Sequence, residues 1–227
     1  MEFLSRFLLM MVMVSCSSVG VVSSEEIVQE LEPVSYNVSG VRLKSRNSAV
    51  KVSSLDSRGN SVSGSGGYIK YKKDFYILTA AHVVEHSPIA LIEGNGEQIV
   101  GEVVFLDKET DTALVSIKGM FTKKPIVWSL SKRQSIGSKV VYSGYPNSVG
   151  LLTIEGRISG YLDSRTFIHS YVWMGSSGSV VLDEYGRILG VISAVNVGYD
   201  IIGIPTIIED VGVVVQMSRV DSFLRGK

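Results

Sequence analysis

From Ala49 onward, short apolar runs rich in Val, Ile and Tyr alternate with Gly, Ser, Asn and Asp. Runs of this length bounded by turn residues read as β-strands. The pattern predicts strands at 66–71, 75–80, 89–92, 99–105 and 113–117. It predicts others at 127–130, 139–143, 151–158, 166–168, 180–182, 188–193 and 211–216. A parallel sheet would need crossovers of about a dozen or more residues between strands, usually helical. The spacing leaves no room for them. Only 218–225 has helical character, as one short C-terminal helix. The expectation is an all-β sandwich or barrel.

Before Ala49 the pattern differs. Residues 7–14 form an unbroken apolar run, FLLMMVMV, after a short start that carries Glu2 and Arg6. Small residues follow: Ser15, Cys16, Ser17 and Ser18. This is the layout of a secretory signal, expected over 1–22. The run is short for a bilayer span, which takes about 20 apolar residues. The competing reading is an uncleaved anchor extended through Val19, Gly20, Val21 and Val22. Met13-Val14-Ser15-Cys16 resembles a bacterial lipoprotein processing site, with Met13 where Leu is usual. By that resemblance Cys16 would become the lipidated first residue of the mature chain; otherwise it is a small apolar residue of the signal. The anchor and the lipid would each give a membrane tether through the N-terminus. Residues 23–47, polar and Ser/Glu-rich with Pro33 as a breaker, read as a linker. The folded domain is expected over 48–227.

Composition narrows the function. Lys plus Arg and Asp plus Glu both number 22, so there is no basic excess of the kind a nucleic-acid binder shows. With 45% hydrophobic residues, the chain can build the core of one ordinary domain. Cys16 is the single cysteine, so no internal disulfide can form. A disulfide-free exported domain suits a bacterial or phage setting better than an animal secreted one. Three histidines and one cysteine form no metal-ligand cluster, and no cofactor is expected.

Three constellations carry chemistry. In Leu78-Thr79-Ala80-Ala81-His82-Val83-Val84 an apolar strand ends in two alanines and a histidine. The alanines allow close packing around an imidazole that must reach into a cleft. In Asp107-Lys108-Glu109-Thr110-Asp111-Thr112-Ala113-Leu114-Val115, Asp111 stands directly before an apolar strand and could accept an imidazole N–H. Asp107 is its rival within the turn, and a turn aspartate is common. In Gly175-Ser176-Ser177-Gly178-Ser179, a small-residue turn can expose a hydroxyl and aim successive backbone N–H groups at one point, as an oxyanion site requires. A plain Ser/Gly loop would look similar.

In this order, His, Asp, Ser, the three segments resemble the trypsin-like serine peptidases, and more closely their bacterial HtrA-like branch. The resemblance runs from about residue 49 to 223 and includes TAAHVV, TDTALV and the Gly-x-Ser-Gly around Ser177. Val141-Tyr142-Ser143-Gly144-Tyr145-Pro146 and Gly156-Arg157-Ile158-Ser159-Gly160 are similar to two further family segments. The resemblance implies two packed six-stranded β-barrels with the site in the cleft between them. It implies a serine endopeptidase acting on protein or peptide substrates. His82, Asp111 and Ser177 would be the triad, and the N–H groups of Gly175 and Ser177 the oxyanion hole.

The same resemblance makes 190–195 the substrate-binding strand. Ser193 would lie beside Asp111, and Ala194 and Val195 would line the primary specificity pocket, with Tyr171 near its floor. Val195 stands where many relatives have Gly, and no acid stands at Tyr171. Small or medium apolar side chains are therefore the expected preference. Ser179 departs from a usual glycine. Ser176 stands where classical zymogens carry Asp, and no Arg-Ile-Val-Gly-like activation site is visible, so activation by a buried new N-terminus is not expected. The chain ends soon after the domain, so no PDZ domain like that of HtrA relatives is expected. Two readings from other classes compete: a catalytically silent binding module on the same fold, and a surface or virion structural protein.

Overall fold

The computed structural model describes residues 40–118, 123–199 and 205–227, without the side chains of 148, 194–199 and 205–210. The expected signal, the lipidation candidate Cys16 and residues 23–39 of the expected linker lie outside the described residues. Among the described residues no helix is long and apolar enough to cross a membrane.

The chain enters through helix α1 (Gly40–Ser48) and passes directly into β1 (Ala49–Leu55). There follow β2 (Ser61–Tyr71), β3 (Asp74–Thr79), the one-turn helix α2 (Ala81–Val84), β4 (Ile89–Gly94), β5 (Glu97–Asp107), β6 (Thr112–Ser116) and β7 (Ile126–Val127). The second half holds β8 (Lys139–Gly144), a 3-10 turn (Pro146–Ser148), β9 (Leu152–Leu162), β10 (Arg165–His169), β11 (Val180–Asp183), β12 (Ile188–Tyr199), β13 (Pro205–Val215) and α3 (Ser218–Arg225).

Two closed barrels result. The first runs β1-β4-β5-β6-β3-β2 and closes by antiparallel pairing of β1 with β2, Ala49 opposite Gly67. The short β7 pairs in parallel with the end of β2, Ile69 opposite Ile126. The second closes as β10-β13-β12-β11-β8-β9. Closure removes the free edges that would otherwise invite pairing with other chains. Alternate residues of each strand point inward. Val50, Val52, Ile77, Ile92 and Val115 fill the first barrel, and Val140, Tyr142, Ile158, Ile168, Val181 and Ile192 fill the second. Burial of each such side chain stabilises by about 1.5–3 kcal/mol. A third cluster spans the seam, where Ile69, Leu78 and Leu114 meet Val141, Val180, Leu182, Ile188 and Val215. At this seam Gly67 leaves space for Val180, and any Cβ there would collide with that side chain.

The stretch 40–47, expected to end a linker, is instead helical and docked. Ser45 Oγ donates to Ser143 Oγ at 3.0 Å and Ser48 Oγ to the Ser45 carbonyl at 2.8 Å. Lys44 Nζ reaches the Gly186 carbonyl at 2.6 Å, and Arg46 reaches that of Leu151 at 2.9 Å. The helix thus lies on the second barrel and leads directly into the first strand of the first. At the other end, α3 buries Val220 and Leu224. Its Arg219 pairs with Asp107 at 3.2 Å and Glu109 at 2.5 Å, holding the β5–β6 turn.

Candidate active site

His82 sits in α2, immediately past the end of β3. Buried Ala80 and Ala81 let this turn press onto the first barrel, and the imidazole stays partly exposed on its outer side. Asp111 closes the β5–β6 turn with φ of 49°, a left-handed conformation that Asp tolerates better than most residues. Its carboxylate faces His82. Nδ1 of the imidazole lies 2.9 Å from Oδ2 and 3.1 Å from Oδ1, and the His82 backbone N–H donates to Oδ1 at 2.9 Å. Ser193 Oγ, from β12 of the second barrel, donates to Oδ2 at 2.5 Å.

The rival carboxylate is engaged elsewhere. Asp107 accepts the Glu109 N–H at 3.0 Å and the Thr110 hydroxyl at 2.8 Å, and pairs with Arg219. It builds the turn from which Asp111 projects.

The electrostatics follow from these contacts. The hydrogen bond to Asp111 raises the His82 pKa above its ordinary 6.5, and partial burial opposes this without cancelling it. For Asp111, burial pushes the pKa up. The bonds donated by the His82 ring, Ser193 and the His82 backbone outweigh that and hold it below the ordinary carboxylate value. Asp111 is thus held as the carboxylate, which favours a proton on Nδ1 of the ring.

Ser177 lies on the turn before β11, and this turn is pinned on both sides. Gly178 N–H donates to the Ile192 carbonyl at 2.7 Å and Ile192 N–H to that of Ser179 at 2.9 Å. Gly178 has φ of +89°, and a Cβ there would strike the Ser65 carbonyl and the Thr79 hydroxyl. Only glycine meets both conditions. Ser177 Oγ donates to the Ser193 carbonyl over a long 3.5 Å, and no hydrogen bond joins it to the imidazole. His82, Asp111, Ser193 and Ser177 nevertheless form one connected line across the two barrels. Ser193 is the link.

The N–H groups of Gly175 and Ser177 have no hydrogen-bond acceptor among the described residues. The Met174 carbonyl is bound by the Asn147 N–H at 2.7 Å, so the Gly175 N–H of the same peptide points the opposite way. Ser176 is fully buried and staples the turn, donating its N–H to the Trp173 carbonyl at 2.9 Å and accepting the Trp173 N–H at 3.3 Å. Ser179 is accommodated because Gly144 opposes it; a Cβ on Gly144 would collide with its hydroxyl, which is buried and has no partner among the described residues.

Tyr171 is half exposed, and its ring stacks on Trp173 with centroids 6.5 Å apart. It lines a surface groove with Lys139, Glu155, Arg157 and His169, and Ser177 is not part of that lining. The side chains of Ala194 and Val195 lie outside the described residues; the backbone of both continues β12.

Comparisons with known proteins bear on the family and the fold. The chain is 27% identical over 187 residues to the serine protease Do-like HtrA of Bacillus subtilis, covering 73% of this chain and 41% of that protein. It is 28% identical over 147 residues to a probable periplasmic serine endoprotease, DegP-like, of Chlamydia trachomatis, covering 60% of this chain and 29% of the relative. The chain thus spans less than half the length of these curated relatives. Its fold is similar to the active form of the Rv3671c protease from M. tuberculosis, with a TM-score of 0.66, 24% identity and 82% of each chain covered. It is also similar to a serine endoprotease from Yersinia pestis, with a TM-score of 0.64, 20% identity, and 83% of this chain and 66% of that one covered. The profile of the trypsin-like peptidase domain matches residues 64–191, more than half of the chain and every residue of the connected line except Ser193. By that match, the chain belongs to the trypsin-like peptidase domain family.

Proposed function

We propose that the chain is a serine endopeptidase in which Ser177 attacks the peptide carbonyl and His82 and Asp111 move the proton. The observation that carries this is the connected line from His82 to Ser177 beside two unengaged N–H groups. A serine hydroxyl is a weak nucleophile at neutral pH and needs a base. His82 Nε2 takes the Ser177 proton after the hydroxyl swings from the Ser193 carbonyl to the imidazole, a rotation between staggered wells. Catalytic hydrogen bonds are often long before substrate arrives. Asp111 keeps the proton on Nδ1 and stabilises the imidazolium that forms; His82 then delivers its proton to the leaving amine. The Gly175 and Ser177 N–H groups receive the developing oxyanion, each donor lowering the barrier by about 3 kcal/mol. Labelling by a fluorophosphonate that depends on Ser177 tests the assignment.

The bond from Ser177 to the Ser193 carbonyl favours a second reading. In a catalytically silent binding module the hydroxyl would stay there, and neither wild type nor variant would react with the probe.

Substrate is expected to lie extended along 193–195 of β12, pairing main chain to main chain. By the family resemblance, β-branched Val195 would line the pocket and no acid stands at Tyr171 to attract Lys or Arg, so small or medium apolar side chains are the expected preference before the cut. A peptide-library digest should favour Val or Ala over Arg by roughly tenfold or more. Equal rates after Arg would overturn this preference.

We also infer export. The signal-like start supports it, as does the word periplasmic in the name of one curated relative. The mass of the mature N-terminus should show removal of the leader, with lipid on Cys16 or with Cys16 lost; an intact Met1 on a protein retained in the cytoplasm would refute it.

A further inference from the structure

We propose that Ser65, on β2 of the first barrel, is a positioning residue that sets the direction of the Gly175 N–H on the second barrel; this rests on the peptidase reading above. Every hydrogen-bonding group of Ser65 is used, and the residue is fully buried. Its hydroxyl donates to the Gly175 carbonyl at 2.6 Å and accepts the Tyr145 N–H at 2.9 Å. Its backbone N–H donates to the Ser177 carbonyl at 2.7 Å, and its carbonyl accepts the Thr79 hydroxyl at 2.7 Å. Ser65 therefore grips the carbonyls of both residues whose N–H groups form the oxyanion site.

The hydroxyl acts on Gly175 from two sides. It fixes the peptide after Gly175 directly, through the carbonyl. The peptide before Gly175, which carries the N–H in question, is held by Asn147 through the Met174 carbonyl. Asn147 is two residues beyond Tyr145, whose own N–H rests on the same hydroxyl. Gly175, at φ of +91°, has no side chain to restrain it. Its orientation must come from neighbours, and one first-barrel hydroxyl reaches it by both routes. Without that hydroxyl, the Tyr145 N–H and the Gly175 carbonyl would be left unpaired inside the protein. Buried groups left unpaired are costly, and rotation of the Gly175 peptides would let them find new partners.

The test compares wild type, Ser177→Ala, Ser65→Ala and Ser65→Thr. Ser65→Ala should lower kcat for peptide hydrolysis by about tenfold to a hundredfold, less than outright removal of an oxyanion donor. KM should hold within about twofold, and a peptide boronate should weaken by the same factor as kcat. The acid limb of the pH profile, which reports His82, should not move. Ser65→Thr keeps the hydroxyl and should restore most of the rate. A joint change in KM, acid limb and thermal midpoint without rescue by threonine would mean a merely structural residue and overturn the inference. A crystal structure of Ser65→Ala should show the Met174–Gly175 peptide rotated, with or without displacement of the 145–147 loop; an unchanged Gly175 N–H direction would equally overturn it. Inert wild type would bring down the peptidase reading, and the crystallographic comparison would still decide whether Ser65 holds Gly175.

Discussion

Ser177→Ala is expected to lose all labelling by a fluorophosphonate and about a millionfold in kcat, because nucleophile and base act as a unit whose loss is nearly complete when either member goes. The substitution removes one oxygen that has a single long hydrogen bond, to the Ser193 carbonyl. The two backbone bonds that hold residues 176–179 against β12 do not involve it. The variant should therefore fold and melt like wild type. Residual cleavage should reflect only substrate binding and the oxyanion donors. Retained labelling or turnover in a folded, homogeneous sample would mean that another residue is the nucleophile.

Asp111→Asn is expected to lower kcat by about ten-thousandfold near neutral pH. Asparagine accepts φ of 49° as readily as aspartate, so the turn should survive. The amide, however, presents an N–H to Nδ1 and drives the ring proton onto Nε2, where the base must be empty. The pH profiles should differ in a defined direction. In the wild type the His82 pKa lies above 6.5, so kcat/KM should fall as pH drops through that raised value. In the variant the limb should move down. The linked stability terms have opposite signs. The raised His82 pKa contributes stability that is full below about 6.5 and is lost as pH rises through the folded-state value. The depressed Asp111 pKa contributes stability above the ordinary carboxylate value and loses it as pH falls. A variant with wild-type kcat and an unmoved acid limb would remove Asp111 from the mechanism.

Much of this architecture could be read from apolar runs, because barrel strands bury alternate residues and end in turn chemistry. The helix α3 coincides with the expected 218–225 for the same reason: Val220 and Leu224 form an apolar face. The misses also have physical causes. Helix α1 buries Ser45 and Ser48, so no hydrophobic stripe marks its inner face. Strand β1 does alternate, with Val50 and Val52 inward, but its serines break the run after four residues. Strand β2 begins at Ser61, before its expected start, because Ser63 is exposed and Gly64 and Ser65 meet the Ser177 turn of the second barrel, so no apolar run marks these residues.

At the site, the motif segments pointed to His82, Asp111 and Ser177. Its place directly before an apolar strand ranked Asp111 above Asp107, whereas the partner that occupies Asp107, Arg219, is more than a hundred residues away and left no local signal. Ser65 was invisible for a similar reason: its partners at 145, 175 and 177 are distant in sequence, and a serine between glycines carries no signal of its own.

The carbonyl on which the Ser177 hydroxyl rests belongs to the strand that an extended substrate would line. An incoming main-chain amide would compete for that acceptor and evict the hydroxyl toward the imidazole. Occupancy of the groove would then arm the nucleophile, and between encounters the enzyme would be blunted toward water and toward stray electrophiles.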